Sequence, residues 1–127
     1  MSTVSKPTQA LSSKYYTDPT LFEKEKSTLL ATTWQFACHV SEIPKRGDYF
    51  AFEIAGESLF VIRGKNDAIR TFYNVCMHRA HEMVLNQKGN SRSLVCPYHH
   101  WSYELDGALR AGPNLNAVEG LNKNKFV

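Results

Sequence analysis

The chain has 127 residues, 43% of them hydrophobic and 21% charged, with a formal net charge of +3, the size and make-up of one ordinary soluble domain. Its basic residues are interspersed with acidic ones rather than run together, which argues against a nucleic-acid partner. No apolar run reaches membrane-spanning length, "MSTVSKPTQALSSKYY" has no signal-peptide hydrophobic region, and three cysteines make no disulfide framework, so the expectation is a cytoplasmic protein with no membrane partner whose cysteines are kept for metal.

Residues 1–14 are polar and read as a flexible N-terminus, with a single domain over 15–127. "TDPTLFEKEKSTLLATTW" (17–34) predicts a helix capped by Asp18, with Pro19 in its first turn. Leu21, Phe22, Leu29 and Leu30 give it an apolar stripe. Short strands follow. Residues 34–40, 48–55, 58–64 and 69–75 are rich in aromatic and β-branched side chains. Turns are expected at 55–57 and 64–67. Two more strands are predicted at 93–98 and 101–109, the second bent at Asp106–Gly107. The fold class is mostly β, a small antiparallel barrel or sandwich with one N-terminal helix. No internal repeat stands out. The last segment, "AGPNLNAVEGLNKNKFV", ends on Phe126–Val127. That ending reads either as the start of another strand, in a fragment of something longer, or as a frayed terminus.

The segment 74–101 concentrates the soft metal ligands. Cys76 and His78 are one residue apart, Cys96 and His99 two apart, and seventeen residues separate His78 from Cys96. Each half offers one thiolate and one imidazole on a short loop. Two such loops face to face supply the ligands of a [2Fe–2S] cluster in which two histidines replace two cysteines on one iron. Neutral imidazoles carry less negative charge than thiolates, so the potential rises to roughly −150 to +300 mV, against about −400 mV for an all-cysteine plant-type cluster. A structural zinc site is the competing reading. It fits poorly, because zinc fingers pair cysteine with cysteine and histidine with histidine.

The pattern C-x-H-x₁₇-C-x₂-H, with "CPYH" in the second loop, resembles the Rieske motif. The resemblance extends through "DPTLFEKEKSTLLATTWQF", "NVCMHRAHEM" and "CPYHHWSYELDGAL" to about residues 15–127, and looks like the N-terminal part of a Rieske non-haem iron oxygenase α subunit. Within that group it is most similar to the choline and glycine-betaine monooxygenase branch. The resemblance implies a Rieske-type [2Fe–2S] cofactor held by Cys76, His78, Cys96 and His99. Respiratory Rieske proteins carry a disulfide between the loops; the corresponding positions here are His81 and Tyr98. They also carry a serine where this chain has Trp101. Fewer hydrogen bonds to cluster sulfurs mean a lower potential, which suits an oxygenase or a ferredoxin.

His81 and His100 are left without a ligand role and are expected at the surface beside the cluster. His100 stands where the family usually has glycine, a position that suggests left-handed backbone. Cys38 is expected as a buried core thiol and His39 as its exposed neighbour. Trp34 and Trp101 are expected as core or cluster-shielding aromatics, and Arg46–Gly47–Asp48 as a turn.

In the oxygenases it resembles, such a domain takes electrons from a reductase or ferredoxin and passes them to a mononuclear-iron catalytic domain in a neighbouring subunit, commonly within a homotrimer. That iron needs two histidines and a carboxylate, a triad absent from these 127 residues. The chain is therefore expected to transfer electrons, with no catalytic residue of its own. Its role is the domain through which electrons enter an oxygenase α subunit, truncated or excised. A free-standing Rieske ferredoxin is the alternative, and a zinc-stabilised module a third.

Overall fold

A computed structural model describes residues 10–115, which fall in two compact units, Met1–Gln35 and Phe36–Val127. Most of the flexible segment expected at 1–14, and the strand expected at 126–127, lie outside the described residues.

In the first unit, α1 (Lys14–Thr17) is followed by α2 (Pro19–Glu25) and a π turn at Lys26–Leu30. Asp18 caps α2 as expected, its carboxylate accepting from the Thr20 N–H at 2.9 Å. That bond holds the carboxyl below its usual pKa. The single helix expected over 17–34 is instead broken into pieces. The reason lies in its hydroxyls. Ser27 and Thr28 both donate to the Lys24 carbonyl, and Thr33 donates to that of Leu29, competing with the regular backbone ladder. The predicted stripe is not buried, since Phe22 and Leu29 are half exposed. Trp34 is fully exposed, which corrects its expected place in a core.

In the second unit, residues 36–39 form no regular element, and a 3₁₀ turn follows at Val40–Glu42. The strand expected at 34–40 is absent because aromatic and β-branched residues make a strand only where a neighbour supplies packing and backbone partners. His39 is exposed, and its Nδ1 accepts from the Ser41 N–H to cap the turn. Cys38 is only half-buried, not a core residue; burial, then Glu42, raises its thiol pKa.

β1 (Asp48–Ile54) and β2 (Glu57–Arg63) form a hairpin, paired from Tyr49↔Ile62 to Ile54↔Glu57. Its two-residue turn, Ala55–Gly56, has positive φ at both positions, as the turn type that matches strand twist requires. β3 (Ile69–Tyr73) lies on the far side of β2, and β4 (Lys88–Asn90) on the far side of β1. The β4 pairing leans on Gly47, at φ +87°, whose carbonyl accepts from Ser91; a Cβ there would run into the Ser91 carbonyl. β5 (Leu94–Val95), β6 (Ser102–Tyr103) and β7 (Leu109–Ala111) make a second sheet. The strand expected over 101–109 is thus two strands, with Asp106–Gly107 in the turn joining them. Phe60, Ile62 and Tyr49 from the first sheet share one core with Leu94, Tyr103 and Leu109 from the second. The result is a mostly β sandwich rather than a closed barrel. Among the described residues no helix is long and apolar enough to cross a membrane.

Candidate metal centre

The first ligand-bearing loop (76–81) leaves β3 of the four-stranded sheet. The second (96–101) connects β5 to β6 of the three-stranded sheet. The two loops are copies of one backbone. The Cys76 N–H donates to the His81 carbonyl and the Cys96 N–H to the Trp101 carbonyl, both at 2.8 Å. The Ala80 and His100 N–H groups return to the carbonyls of Cys76 and Cys96, at 2.8 and 3.0 Å. Each loop reverses through one left-handed residue in the same place, Ala80 at φ 54° and His100 at φ 57°. The left-handed backbone expected at His100 is therefore present, and a short structural repeat exists that the sequence hides.

A left-handed non-glycine residue carries strain of about 1 kcal/mol. His100→Gly is expected to raise stability by up to about 1 kcal/mol, less the added freedom of the unfolded chain. A urea titration of both proteins checks it.

The loops bring the four candidate ligands into two kinds of surroundings. Cys76 and Cys96 are 1% and 2% exposed. The Tyr103 hydroxyl lies 3.4 Å from Cys76 Sγ and close enough to Cys96 to feel its charge. Burial, then the bond to Cys76, pushes the Tyr103 hydroxyl well above the usual phenol range, so it stays protonated and able to donate. His78 and His99 meet edge to face, their ring centroids 4.9 Å apart. They border a hollow of about 480 Å³ that also reaches Trp101 and Leu115. His99 Nδ1 is buried without a hydrogen-bond partner, an arrangement that is costly for a polar atom unless something else binds it. Burial, with His78 and Arg79 next in effect, lowers the His99 pKa and favours the neutral imidazole that a metal requires.

Around these four stand rings. Trp101 stacks on His78 at 4.7 Å with its plane only 6° away. Gly112 packs close against it, where a Cβ would fall 2.7 Å from the indole. Trp101 thus shields the site, as expected. Tyr98 lies against His99 at 3.7 Å and against His81 at 5.6 Å. The positions that hold a disulfide in respiratory Rieske proteins are here in ring contact. His81 is consequently half-buried rather than a plain surface residue, whereas His100 is exposed.

Two functional residues have no sequence signal. Tyr103 is one. The other is Asn74, 5% exposed, whose Oδ1 accepts from the N–H groups of Met83 and Val84 while its amide donates to the Val84 carbonyl. It ties the segment after the first loop to that loop's base.

The donor set fits the pairwise needs of a two-iron cluster. Its two thiols are sealed in the core, and its two imidazoles are in ring contact with each other. A tetrahedral zinc draws all its ligands around one centre, whereas a Rieske centre takes two thiolates on one iron and two imidazoles on the other.

The sequence profile of the Rieske [2Fe–2S] domain matches residues 33–122. The carnitine monooxygenase oxygenase subunit of Acinetobacter baumannii is 40% identical over 109 residues, 86% of this chain and 29% of that protein. The 2-aminobenzenesulfonate 2,3-dioxygenase subunit alpha of Alcaligenes sp is 40% identical over 111 residues, 87% of this chain and 28% of that one. The crystal structure of the apo form of a quaternary ammonium Rieske monooxygenase, CntA, superposes with a TM-score of 0.85 at 37% identity, covering 92% of this chain and 34% of that one. The chain spans about a third or less of the length of these relatives. Matching fold, paired loops and profile together place the chain in the Rieske [2Fe–2S] domain family, beside oxygenase α subunits and with a Rieske-type cluster as its cofactor.

Proposed function

We propose that Cys76 and Cys96 hold one iron of the cluster and His78 and His99 the other, and that the chain is the domain through which electrons enter an oxygenase α subunit. The observation that carries this reading is the pair of matched loops, with two sealed thiols and a neighbouring histidine pair whose His99 Nδ1 has no partner. When bound, the cluster accepts and releases one electron at a time. The residues around it do the rest. The core closes over the thiols and excludes water. Tyr103 donates to Cys76 and so steadies negative charge on the sulfur. The histidines border the hollow, where a partner protein would meet them. The donor is a reductase or a ferredoxin, and the acceptor a mononuclear-iron catalytic domain. The relatives' description as oxygenase subunits supports a multi-component system of this kind. A homotrimeric assembly follows from the same resemblance. Relatives of equal identity are named for carnitine and for 2-aminobenzenesulfonate, so similarity over this segment does not select a substrate.

The test is metal analysis and EPR of protein purified without oxygen, before and after dithionite. Iron and sulfide in equal amounts, with a reduced signal of lower average g than all-cysteine ferredoxins give, is the expected result. One zinc, or a folded protein that takes up no metal under iron-replete conditions, would overturn the reading.

Tyr103→Phe is expected to lower the cluster's reduction potential. Losing one hydrogen bond to a sulfur costs the reduced form about 1 kcal/mol, or roughly 40 mV for a one-electron couple. A redox titration followed by EPR measures it.

A further inference from the structure

Because the loops are copies, their positions correspond: His78 to Tyr98, and His81 to Trp101. The ring contacts obey the same correspondence. His78 of the first loop stacks on Trp101 of the second, and Tyr98 of the second packs on His81 of the first. One of these reciprocal contacts grips a candidate ligand directly. The other does not, yet Tyr98 also lies 3.7 Å from His99. The five rings therefore run in one chain, His81–Tyr98–His99–His78–Trp101, with the two ligand candidates flanked on both sides. The far end is fixed, since His81 Nδ1 donates to the Glu82 carbonyl at 2.8 Å and sets its ring's orientation. Tyr98 is 54% exposed, so its position is explained by these ring contacts rather than by burial in a core.

We propose that Tyr98 and His81 are positioning residues for His99: their cross-loop ring contact holds the His99 imidazole with Nδ1 aimed inward, as Trp101 holds His78. This rests on the ligand assignment above. Aromatic pairs of this kind contribute beyond the area they bury, and a ligand held by its neighbours needs less reorganisation when its metal changes charge.

The test is a double-mutant cycle on the cluster-loaded chain, comparing Tyr98→Ala, His81→Ala and the double variant with Tyr98→Phe and His81→Phe. Two quantities are read: the g values and line widths of the reduced EPR signal, and the rate of iron loss to a ferrous chelator. Each alanine variant is expected to broaden the signal and to speed iron loss about two- to tenfold, the factor that a single aromatic contact supplies. The double variant is expected to be no worse than the more damaging single, Tyr98→Phe to match the parent, and His81→Phe, which keeps the ring but loses the bond to Glu82, to fall between the parent and His81→Ala. If Tyr98→Ala takes up no cluster, Tyr98→Leu and His81→Leu run the same cycle, keeping bulk without the ring. Unchanged spectra in the ringless variants, strictly additive rates, or phenylalanine as damaging as the ringless residue would each overturn the proposal. A parent chain lacking the Rieske signal would instead overturn the ligand assignment, and both readings with it.

Discussion

Cys96→Ala is expected to purify with iron and sulfide at background levels. Cys96 is sealed in the core at 2% exposure, as Cys76 is at 1%. With one thiolate gone, the iron on the sulfur side keeps a single protein ligand, and no other cysteine is placed to replace it. The only remaining one, Cys38, is half-buried on the segment before β1. Cluster binding is also folding free energy, so the variant should melt below the parent as well as being colourless. Cys38→Ala is the control and should retain full iron. Metal and sulfide analysis, with the visible absorption spectrum, checks both. Normal iron in Cys96→Ala would remove this residue from the ligand set.

Asn74→Ala should unfold far more easily than any surface substitution in this chain. The side chain does its work through hydrogen bonds. Its Oδ1 accepts at 2.9 Å from the N–H groups of both Met83 and Val84, in a site where Asn74, Met83 and Val84 are all buried. Alanine leaves both donors without a partner and without water. Each such loss costs about 1–3 kcal/mol, so the total is on the order of 2–6 kcal/mol. Urea unfolding measures it. A cost below about 1 kcal/mol, the usual value for a solvated hydrogen bond, would mean that water reaches the site. Asn74 is also two residues from Cys76, so the variant is expected to lose iron faster than the parent.

The parts of this molecule that were legible in its sequence are those in which a local rule and the tertiary structure agree. β1, β2 and β3 were read to within two residues, because alternating aromatic and β-branched residues run between tight turns. The placement of Cys76, His78, Cys96 and His99 on two short loops was legible too, because each cysteine–histidine pair stands beside predicted strands. β4, with the sequence Lys88–Gly89–Asn90, carries no strand signal. It is an exposed edge made by pairing with β1. Trp34 and Phe36 look like core residues by composition, yet both are exposed, because hydrophobicity alone does not say what will cover a side chain. Asn74 and Tyr103 act at long range: the Tyr103–Cys76 contact spans 27 positions, and no local pattern encodes it. The correspondence between the loops was hidden because their side chains differ at nearly every position while their backbones agree.

The two loops belong to different sheets, one built on a hairpin of seven-residue strands and the other of strands only two or three residues long. Pairings that short do not persist unaided. With the cluster held as proposed, Cys76 and Cys96 are joined across a span of about twenty residues, and a link closing such a loop restrains the denatured chain by about 3 kcal/mol. Iron supply then governs the order in which the protein comes apart. A cell short of iron or sulfide would contain chains in which the short pairings of 94–111 open more often than the hairpin of 48–63. Those chains would present proteases with a ready point of attack, so that quality control could tell an unloaded domain from a loaded one by its shape alone.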